Sequence, residues 1–76
     1  MNINLVTPQS LDALGRVVAI MRRAKVRTKS LVVVGEDNVY KITAVLEGEE
    51  DEVLWLFNKL DRLPEVLHIE VIYKNS

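Results

Sequence analysis

The chain has 76 residues, 49% of them apolar and 28% charged, which is the composition of one small folded domain. It contains no cysteine and one histidine, His68, so disulfides, thiolate chemistry and a zinc site are excluded. The net charge of −1 argues against nucleic-acid binding, and no apolar run approaches the ~20 residues of a membrane span. We therefore expect a single cytoplasmic domain over residues 1–76, without signal peptide, metal or cofactor.

The first half of the chain is predicted to form a strand and a helix. Residues 2–6 alternate polar and apolar side chains, which is the period of a strand with one wet face. Thr7 can cap a helix, and Pro8 suits the first helical position because it has no N–H to leave unpaired. Apolar residues then recur at helical spacing up to about Ala24. The predicted buried stripe consists of Leu11, Leu14, Val17, Val18 and Met21.

The second half is predicted to form a hairpin, a helix and a strand. Residues 26–34 and 39–47 are rich in β-branched side chains, and residues 35–38 between them have turn chemistry. Acidic residues 49–52 suit the positive start of a helix, which Pro64 ends. The buried stripe of that helix is predicted to be Val53, Leu56, Phe57 and Leu60. The last strand, residues 66–73, is predicted to have Leu67, Ile69, Val71 and Tyr73 on one face and Val66, His68, Glu70 and Ile72 on the other.

The predicted order is β-α-β-β-α-β, and right-handed crossovers place both helices on the same face of a four-stranded antiparallel sheet. The fold class is therefore α+β, a ferredoxin-like βαββαβ sandwich. The other face of the sheet stays open, although several of its positions are apolar. These positions are Val32 or Val33, Val39, Val45 and Ile72. A small monomer rarely exposes such a patch, so we expect a homodimer or a higher oligomer.

Few residues are suited to catalysis. Ser10 and Ser30 are the internal serines, and neither lies in a strained Gly-x-Ser-x-Gly turn or near the histidine in sequence. The five carboxylates of residues 47–52 are explained by the start of the second helix, and His68 by an exposed position on the last strand. We therefore expect no catalytic residue and no enzyme activity.

The one basic concentration, residues 22–29, raises the question of RNA binding, because an RNA-recognition module has the same topology. That module stacks bases on aromatic side chains of its central strands, whereas residues 39–45 contain a single aromatic residue and no glycine. The basic run is better explained by a charged turn before an edge strand. There it repels wrong pairing or meets acidic residues 47–52 of a partner.

Gly15 lies inside the predicted first helix, where glycine costs up to about 1 kcal/mol relative to alanine. Two explanations stay open. Either the glycine permits the close approach of another backbone, or its cost is simply tolerated.

Four segments carry a resemblance to a known family. They are residues 14–23 (LGRVVAIMRR), 29–33 (KSLVV), 43–48 (TAVLEG) and 60–66 (LDRLPEV). In this order they resemble an ACT domain, and more narrowly the regulatory small subunit of acetolactate (acetohydroxyacid) synthase. The resemblance runs over about residues 3–72 and agrees with the order of elements predicted from periodicity.

The resemblance implies a non-catalytic regulatory subunit in branched-chain amino-acid biosynthesis. In that family, two ACT domains pair side by side, and a small amino acid such as valine binds at their interface. The thiamine diphosphate, magnesium and flavin of the reaction belong to the catalytic large subunit, which is the implied partner. By alignment, the implied effector-binding residues are Gln9, Asp12, Ala13 and Leu14 of one chain with Arg27 and Thr28 of the other.

Two of these positions depart from the family's pattern, which has a glycine at Asp12 and an asparagine at Arg27. A glycine lets a carboxylate approach bare amides at a helix start, whereas Asp12 places a like charge there. A helix that begins at Pro8 would also engage those amides in its own hydrogen bonds. Both arguments favour a subunit whose effector binding is lost or altered. The alternative is a free-standing ACT domain that senses a small amino acid at its own dimer interface.

Overall fold

The computed structural model describes residues 1–72, and within them the elements follow the predicted order β-α-β-β-α-β. Their bounds are β1 Asn2–Pro8, α1 Leu11–Arg23, β2 Arg27–Glu36, β3 Val39–Glu47, α2 Glu50–Asp61 and β4 His68–Ile72. The strand β3 has the predicted bounds. The other elements differ from the prediction by a few residues at one or both ends.

The sheet has the strand order β2-β3-β1-β4, and each neighbouring pair is antiparallel. β1 is central, since Leu5 lies opposite Ile42 of β3 and Ile69 of β4. Both helices cover the same face, because α1 and α2 pack against each other over one shared core. The predicted fold class, a ferredoxin-like α+β sandwich with two helices on one face of the sheet, is confirmed.

The core lies between the helices and the face of the sheet that they cover. Alternation along β1 and β3 points every second side chain into it. The buried apolar residues of the strands are Ile3, Leu5, Ile42, Ala44 and Leu46. Those of the helices are Ala13, Val17, Met21, Val53, Leu56 and Leu60. Full burial of a large apolar side chain stabilises by about 1.5–3 kcal/mol, so the helix face of the sheet holds the fold together.

The β2–β3 hairpin closes in a two-residue turn at Asp37 and Asn38. Their φ angles are 53° and 67°, the left-handed conformation that a type I′ hairpin turn requires at both central positions. Aspartate and asparagine tolerate this conformation better than most side chains. The predicted turn is confirmed, and β2 extends to Glu36 rather than to residue 34.

The predicted start of the first helix is wrong. β1 continues through Thr7 and Pro8, which pair with β3, and Thr7 is completely buried. The helix cap is Ser10, whose Oγ accepts a hydrogen bond from the Ala13 N–H at 3.4 Å. Pairing with β3 outweighs the local helix signal of Thr7 and Pro8, and a proline is tolerated there because it ends the strand.

The later start also changes which face of α1 is buried. Leu11, predicted to be buried, is 74% exposed because it is now the first helical residue. Leu14 and Val18 are half-buried. The buried residues of α1 are Ala13, Val17 and Met21. In α2 the predicted stripe is confirmed at Val53, Leu56 and Leu60, whereas Phe57 is half-buried.

The last strand begins at His68, two residues later than predicted. Residues 63–67 form an irregular turn before it, which ends where the Leu67 N–H donates to the Val6 carbonyl oxygen at 2.8 Å. Leu67 lies just before the strand and is 61% exposed. Ile69 and Val71 pack against the core, as predicted. The predicted position of Tyr73 lies outside the described residues.

The open face of the sheet carries both apolar and polar side chains. Val32 rather than Val33 lies on it, because Val33 is opposite the buried Ile42. Val39, Val45 and Ile72 lie on the open face, as predicted. Its middle is nevertheless occupied by polar side chains, since Asn4 of the central strand lies opposite Thr43. Alternation along β1 sends Ile3 and Leu5 to the core and Asn2, Asn4 and Val6 to this face.

Candidate functional site

The candidate site is the edge of the sheet formed by β2, together with the flank of α1 beside it. β2 packs chiefly against β3, and all ten of its residues are exposed. Its most apolar part, Leu31, Val32, Val33 and Val34, is 36–51% exposed. The edge therefore presents unpaired backbone N–H and C=O groups together with apolar side chains. Such an edge is suited to pairing with another chain.

A groove of about 290 Å³ lies between α1 and β2. Its lining residues are Val18, Met21, Arg22, Ala24, Val26, Thr28 and Leu31. Apolar side chains form most of this lining, and Thr28 and Arg22 add a hydroxyl and a guanidinium. A mainly apolar groove with a few polar groups suits a small ligand that has an apolar side chain.

The first turn of α1, at the other end of the helix from this groove, offers backbone donors. The first hydrogen bond of the helix runs from the Leu14 N–H to the Ser10 carbonyl oxygen at 3.0 Å. The N–H groups of Leu11 and Asp12 donate no hydrogen bond within residues 1–72. The predicted engagement of these amides is therefore wrong, because it depended on a helix that began at Pro8. Free amides at the positive end of a helix attract an anion such as a carboxylate.

Gln9 joins the start of α1 to the far end of β2. Its N–H donates to the Asn38 carbonyl oxygen at 3.0 Å. Its side-chain amide lies over Gly35, where an added Cβ would be 3.3 Å from Gln9 Cδ and Nε2. The connection between β1 and α1 is thus held against the last residues of β2, and the implied site residue Gln9 sits at that contact.

Arg27 and Thr28 lie at the opposite end of β2. Thr28 lines the groove, and Arg27 is exposed at the first position of the strand. Seven residues separate Thr28 from Gly35, which is about 23 Å along an extended strand. One chain therefore holds the implied effector-binding residues in two separate groups, and the structure of a single chain does not bring them together.

The remaining implied residues differ in what they offer a ligand. Asp12 is exposed in the first turn of α1, and Leu14 is half-buried. Ala13 is buried in the core, so its side chain is not available to a ligand and its N–H is held by Ser10. Of this group, Asp12 contributes a charged side chain, and Leu11 and Asp12 contribute the free amides.

The basic run meets acidic residues within its own chain. The Arg27 Nη1 lies 3.8 Å from the Glu47 Oε1, and the Lys29 Nζ lies 3.5 Å from the Glu47 Oε2. These exposed pairs stabilise the fold little, since solvent screens them. Glu47, at the end of β3, is thus a partner for the basic run within the same chain. The basic run is therefore not by itself a sign of nucleic-acid binding.

Within residues 1–72, no His, Cys, Asp and Glu side chains are grouped in a way that could hold a metal ion. Neither described helix is long and apolar enough to cross a membrane.

Sequence analysis missed the groove and the true cap of α1. The signal for the cap was present, because serine is a preferred N-cap residue and Ser10 comes directly before the apolar residues at helical spacing. The groove had no such signal, since Met21 was predicted as a buried residue of the first helix and Val26 as the first residue of a strand. Leu31 gave a partial signal as an apolar residue of a predicted edge strand.

Comparison with known proteins connects this geometry to a family. Residues 9–69 match the model of the ACT domain family. The fold is similar to the crystal structure of the ACT domain from GTP pyrophosphokinase of Chlorobium tepidum, with a TM-score of 0.79 and 14% identity over 91% of each chain. The solution structure of that domain gives 0.81 and 13%, covering 97% of this chain and 85% of that one.

A further similar structure is the C-terminal domain of the MgtC protein from Mycobacterium tuberculosis. Its TM-score is 0.67 and its identity 12%, over 91% of this chain and 80% of that one. At such identities the likeness shows the fold alone. No curated protein sequence matches the chain.

Gly15 provides a test of whether a second chain packs on the outer side of α1. It is exposed, and an added Cβ would meet no atom within 4 Å, so a close approach within the described chain is ruled out. We expect Gly15→Ala to raise the free energy of unfolding by about 0.5–1 kcal/mol, measured by urea denaturation. Ala19→Gly, at another exposed position of α1, is the control and should lower it similarly. A less stable Gly15→Ala variant would show that another backbone does approach Gly15.

Proposed function

Since the chain belongs to the ACT domain family, we propose that it is a regulatory subunit that pairs with a second copy and docks on the catalytic large subunit of an acetolactate synthase. ACT domains are a regulatory, non-catalytic type of domain that binds amino acids. The segments that resemble the small subunit of this enzyme support the narrower assignment. Three of them border the candidate site: residues 14–23 in α1, 29–33 in β2 and 43–48 at the end of β3.

The exposure of β2 is the observation that carries the proposal. A ten-residue edge strand with four consecutive apolar side chains exposed would promote aggregation if it stayed unpaired. A second copy can satisfy its backbone groups and cover its side chains at the same time by adding its own β2. Two-fold symmetry makes the two surfaces complementary, because each copy offers the same strand to the other.

Antiparallel pairing centred on Val32 fits the alternation of β2. Directly opposite residues of an antiparallel pair lie on the same face of the sheet. Val32 then meets Val32 of the second copy on the open face, and Leu31 meets Val33 of the second copy on the helix face. The helices of both copies lie on one side of the joined sheet, and the four apolar residues of each β2 contact one another.

The same pairing would assemble the implied effector site from two chains. The start of one β2 runs beside the end of the other, so Thr28 and Arg27 approach Gln9 and Asp12 of the second copy. The groove beside Thr28 would then be bordered by the free amides at the start of the second copy's α1. An amino acid could place its apolar side chain in the groove and its carboxylate at those amides.

Asp12 determines how well this composite site would accept a carboxylate. The helix starts late enough to leave the amides free, so the charge of Asp12 is the remaining obstacle. Arg27 of the second copy offsets part of that charge, but both groups are exposed and screened. We therefore propose that effector binding is lost or altered in this subunit, with little or no response to valine.

The second candidate function is a free-standing amino-acid sensor that acts on another partner. The groove of about 290 Å³ and the free amides of Leu11 and Asp12 favour it, because both are features of a site that still binds. The two candidates share the pairing of β2. They differ in whether an acetolactate synthase large subunit responds to the chain.

Mixing the chain with an acetolactate synthase large subunit encoded in the same genome distinguishes the two candidates. We expect equimolar chain to raise the rate of acetolactate formation and to co-elute with the large subunit in gel filtration. An unchanged rate together with separate elution would remove the accessory-subunit proposal. An increase in rate that added valine does not change would support an accessory subunit whose effector binding is lost or altered.

Opposite charges at Val32 test the pairing of β2. Val32→Lys and Val32→Glu each place like charges face to face across the two-fold axis, so we expect either variant alone to be a monomer by light scattering. An equimolar mixture should form a heterodimer, because the opposite charges then attract. Leu54→Lys, which changes an exposed apolar residue of α2, is the control and should leave the dimer intact. Variants that stay dimeric, or a mixture that stays monomeric, would contradict pairing centred on Val32.

Two substitutions at Asp12 test the electrostatic argument for the effector site. We expect Asp12→Gly to increase the affinity for valine, and Asp12→Asn to give most of the increase because it removes only the charge. In a thermal-shift titration, valine at 100 times its Kd stabilises the folded state by about 2.7 kcal/mol. If the unmodified chain already responds strongly, or if neither variant improves on it, the charge of Asp12 is not what limits binding.

A further inference from the structure

The groove between α1 and β2 is lined by charge of one sign. Its lining residues are apolar except for Thr28 and Arg22, and no carboxylate of the described residues lines it. Arg22 is exposed and forms no ion pair within residues 1–72, so its guanidinium is available to a ligand. The groove thus offers a ligand one cation, one hydroxyl group and an apolar wall, and nothing that balances a positive charge.

An irregularity in β2 places both Thr28 and Leu31 at this groove. In a regular strand, two residues that are three positions apart lie on opposite faces of the sheet. Here the register with β3 shifts after Thr28, so that Lys29 is an extra residue and Thr28 lies opposite the buried Leu46. Leu31 lies opposite the buried Ala44, and both residues therefore face the helix side. Bulges of this kind re-aim side chains and are common beside binding sites.

The end of α1 beside the groove is positive enough to attract an anion. The carbonyl groups at a helix C-terminus carry about −0.5 elementary charge. Arg22 and Arg23 in the last turn and Lys25 just beyond it bring three positive charges, which outweigh that partial charge. Within the described part of the chain these three cations form no ion pair, even with acidic residues 49–52 of α2.

We propose that this groove binds a small aliphatic monocarboxylate, a ligand with an apolar chain and one anionic end but no amino group. Its chain packs against Val18, Met21 and Leu31. Its carboxylate accepts hydrogen bonds from the Arg22 guanidinium and the Thr28 hydroxyl. An α-amino acid fits the groove less well, because its ammonium group would lie near Arg22 without an anionic partner.

This binding needs only one chain, since all the lining residues belong to the same copy. It does not use the free amides of Leu11 and Asp12, which lie at the other end of α1. A regulatory role for the ligand rests on the function proposed above, as the altered effector of that subunit. The binding is measured on the chain alone, whereas that function is tested with the large subunit and at Val32, so the two can fail separately.

Four ligands with the same six-carbon chain test the charge pattern: hexanoate, norleucine, 1-hexanol and hexylamine. Each is titrated at neutral pH while backbone amide NMR follows the signals of Arg22, Thr28 and Leu31. We expect hexanoate to shift these signals and to bind most tightly, norleucine to bind more weakly, and hexylamine to bind most weakly. Butanoate should bind about tenfold more weakly than hexanoate, because each methylene group moved into an apolar site raises the affinity up to about fourfold.

Two neighbouring arginines supply a matched pair of variants. Arg22→Gln should weaken hexanoate binding about fivefold, as expected for the loss of a partly exposed charged contact, and should leave 1-hexanol binding unchanged. Arg23→Gln removes the same charge from the same turn of α1, but Arg23 does not line the groove. It should therefore change the affinity for hexanoate by less than about twofold.

The proposal is overturned if hexanoate does not shift the three amide signals. It is also overturned if norleucine binds as tightly as hexanoate, since the groove would then accept an amino acid equally well. Equal affinities for butanoate and hexanoate would show that the chain of the ligand does not enter the groove. Equal losses from Arg22→Gln and Arg23→Gln would show that hexanoate responds only to the general positive charge of the helix end.

Discussion

The uncovered position of β2 is the constraint from which the organisation of this domain follows. The two helices pack over β1, β3 and β4, and no other described element covers β2. Its apolar residues, Leu31 to Val34, therefore stay at an edge where they cannot be buried by their own chain. The other edge strand differs, because β4 alternates its apolar residues with His68 and Glu70. Charged or polar side chains at an edge oppose strand addition, so association is directed to β2.

The sequence predicted the fold well wherever a pattern was repeated along several residues. The order of elements and the bounds of β3 followed from periodicity, and the turn followed from the types of residue at 35–38. The start of α1 was predicted wrongly because Thr7 and Pro8 carry a local helix signal that the sheet overrides. Pairing with β3 depends on residues more than thirty positions away, so a local pattern could not reveal that Thr7 is a buried strand residue.

The candidate site was less predictable, for a topological reason. The resemblance implied one site made of Gln9 and Asp12 of one chain with Arg27 and Thr28 of the other, and a single chain holds these two groups at opposite ends of β2. Nothing in their sequence spacing shows this separation, since it is set by the direction in which β2 returns along the sheet. The groove was hidden for a related reason. The sequence predicted Met21 as a buried helix residue and Val26 as the first residue of a strand, and only packing shows that the space between them and Leu31 is open.

The position of β1 in the sheet indicates where regulation can act in this domain. β1 has hydrogen-bonded neighbours on both sides, and its core-facing residues Ile3 and Leu5 are buried. Coupling between sites requires an element with two arrangements, and a strand enclosed in this way is poorly suited to be that element. β2 differs, because it has a neighbour on one side alone and all of its residues are exposed. Regulation should therefore depend on the β2 edge, where a second chain can pair or separate without disturbing the core.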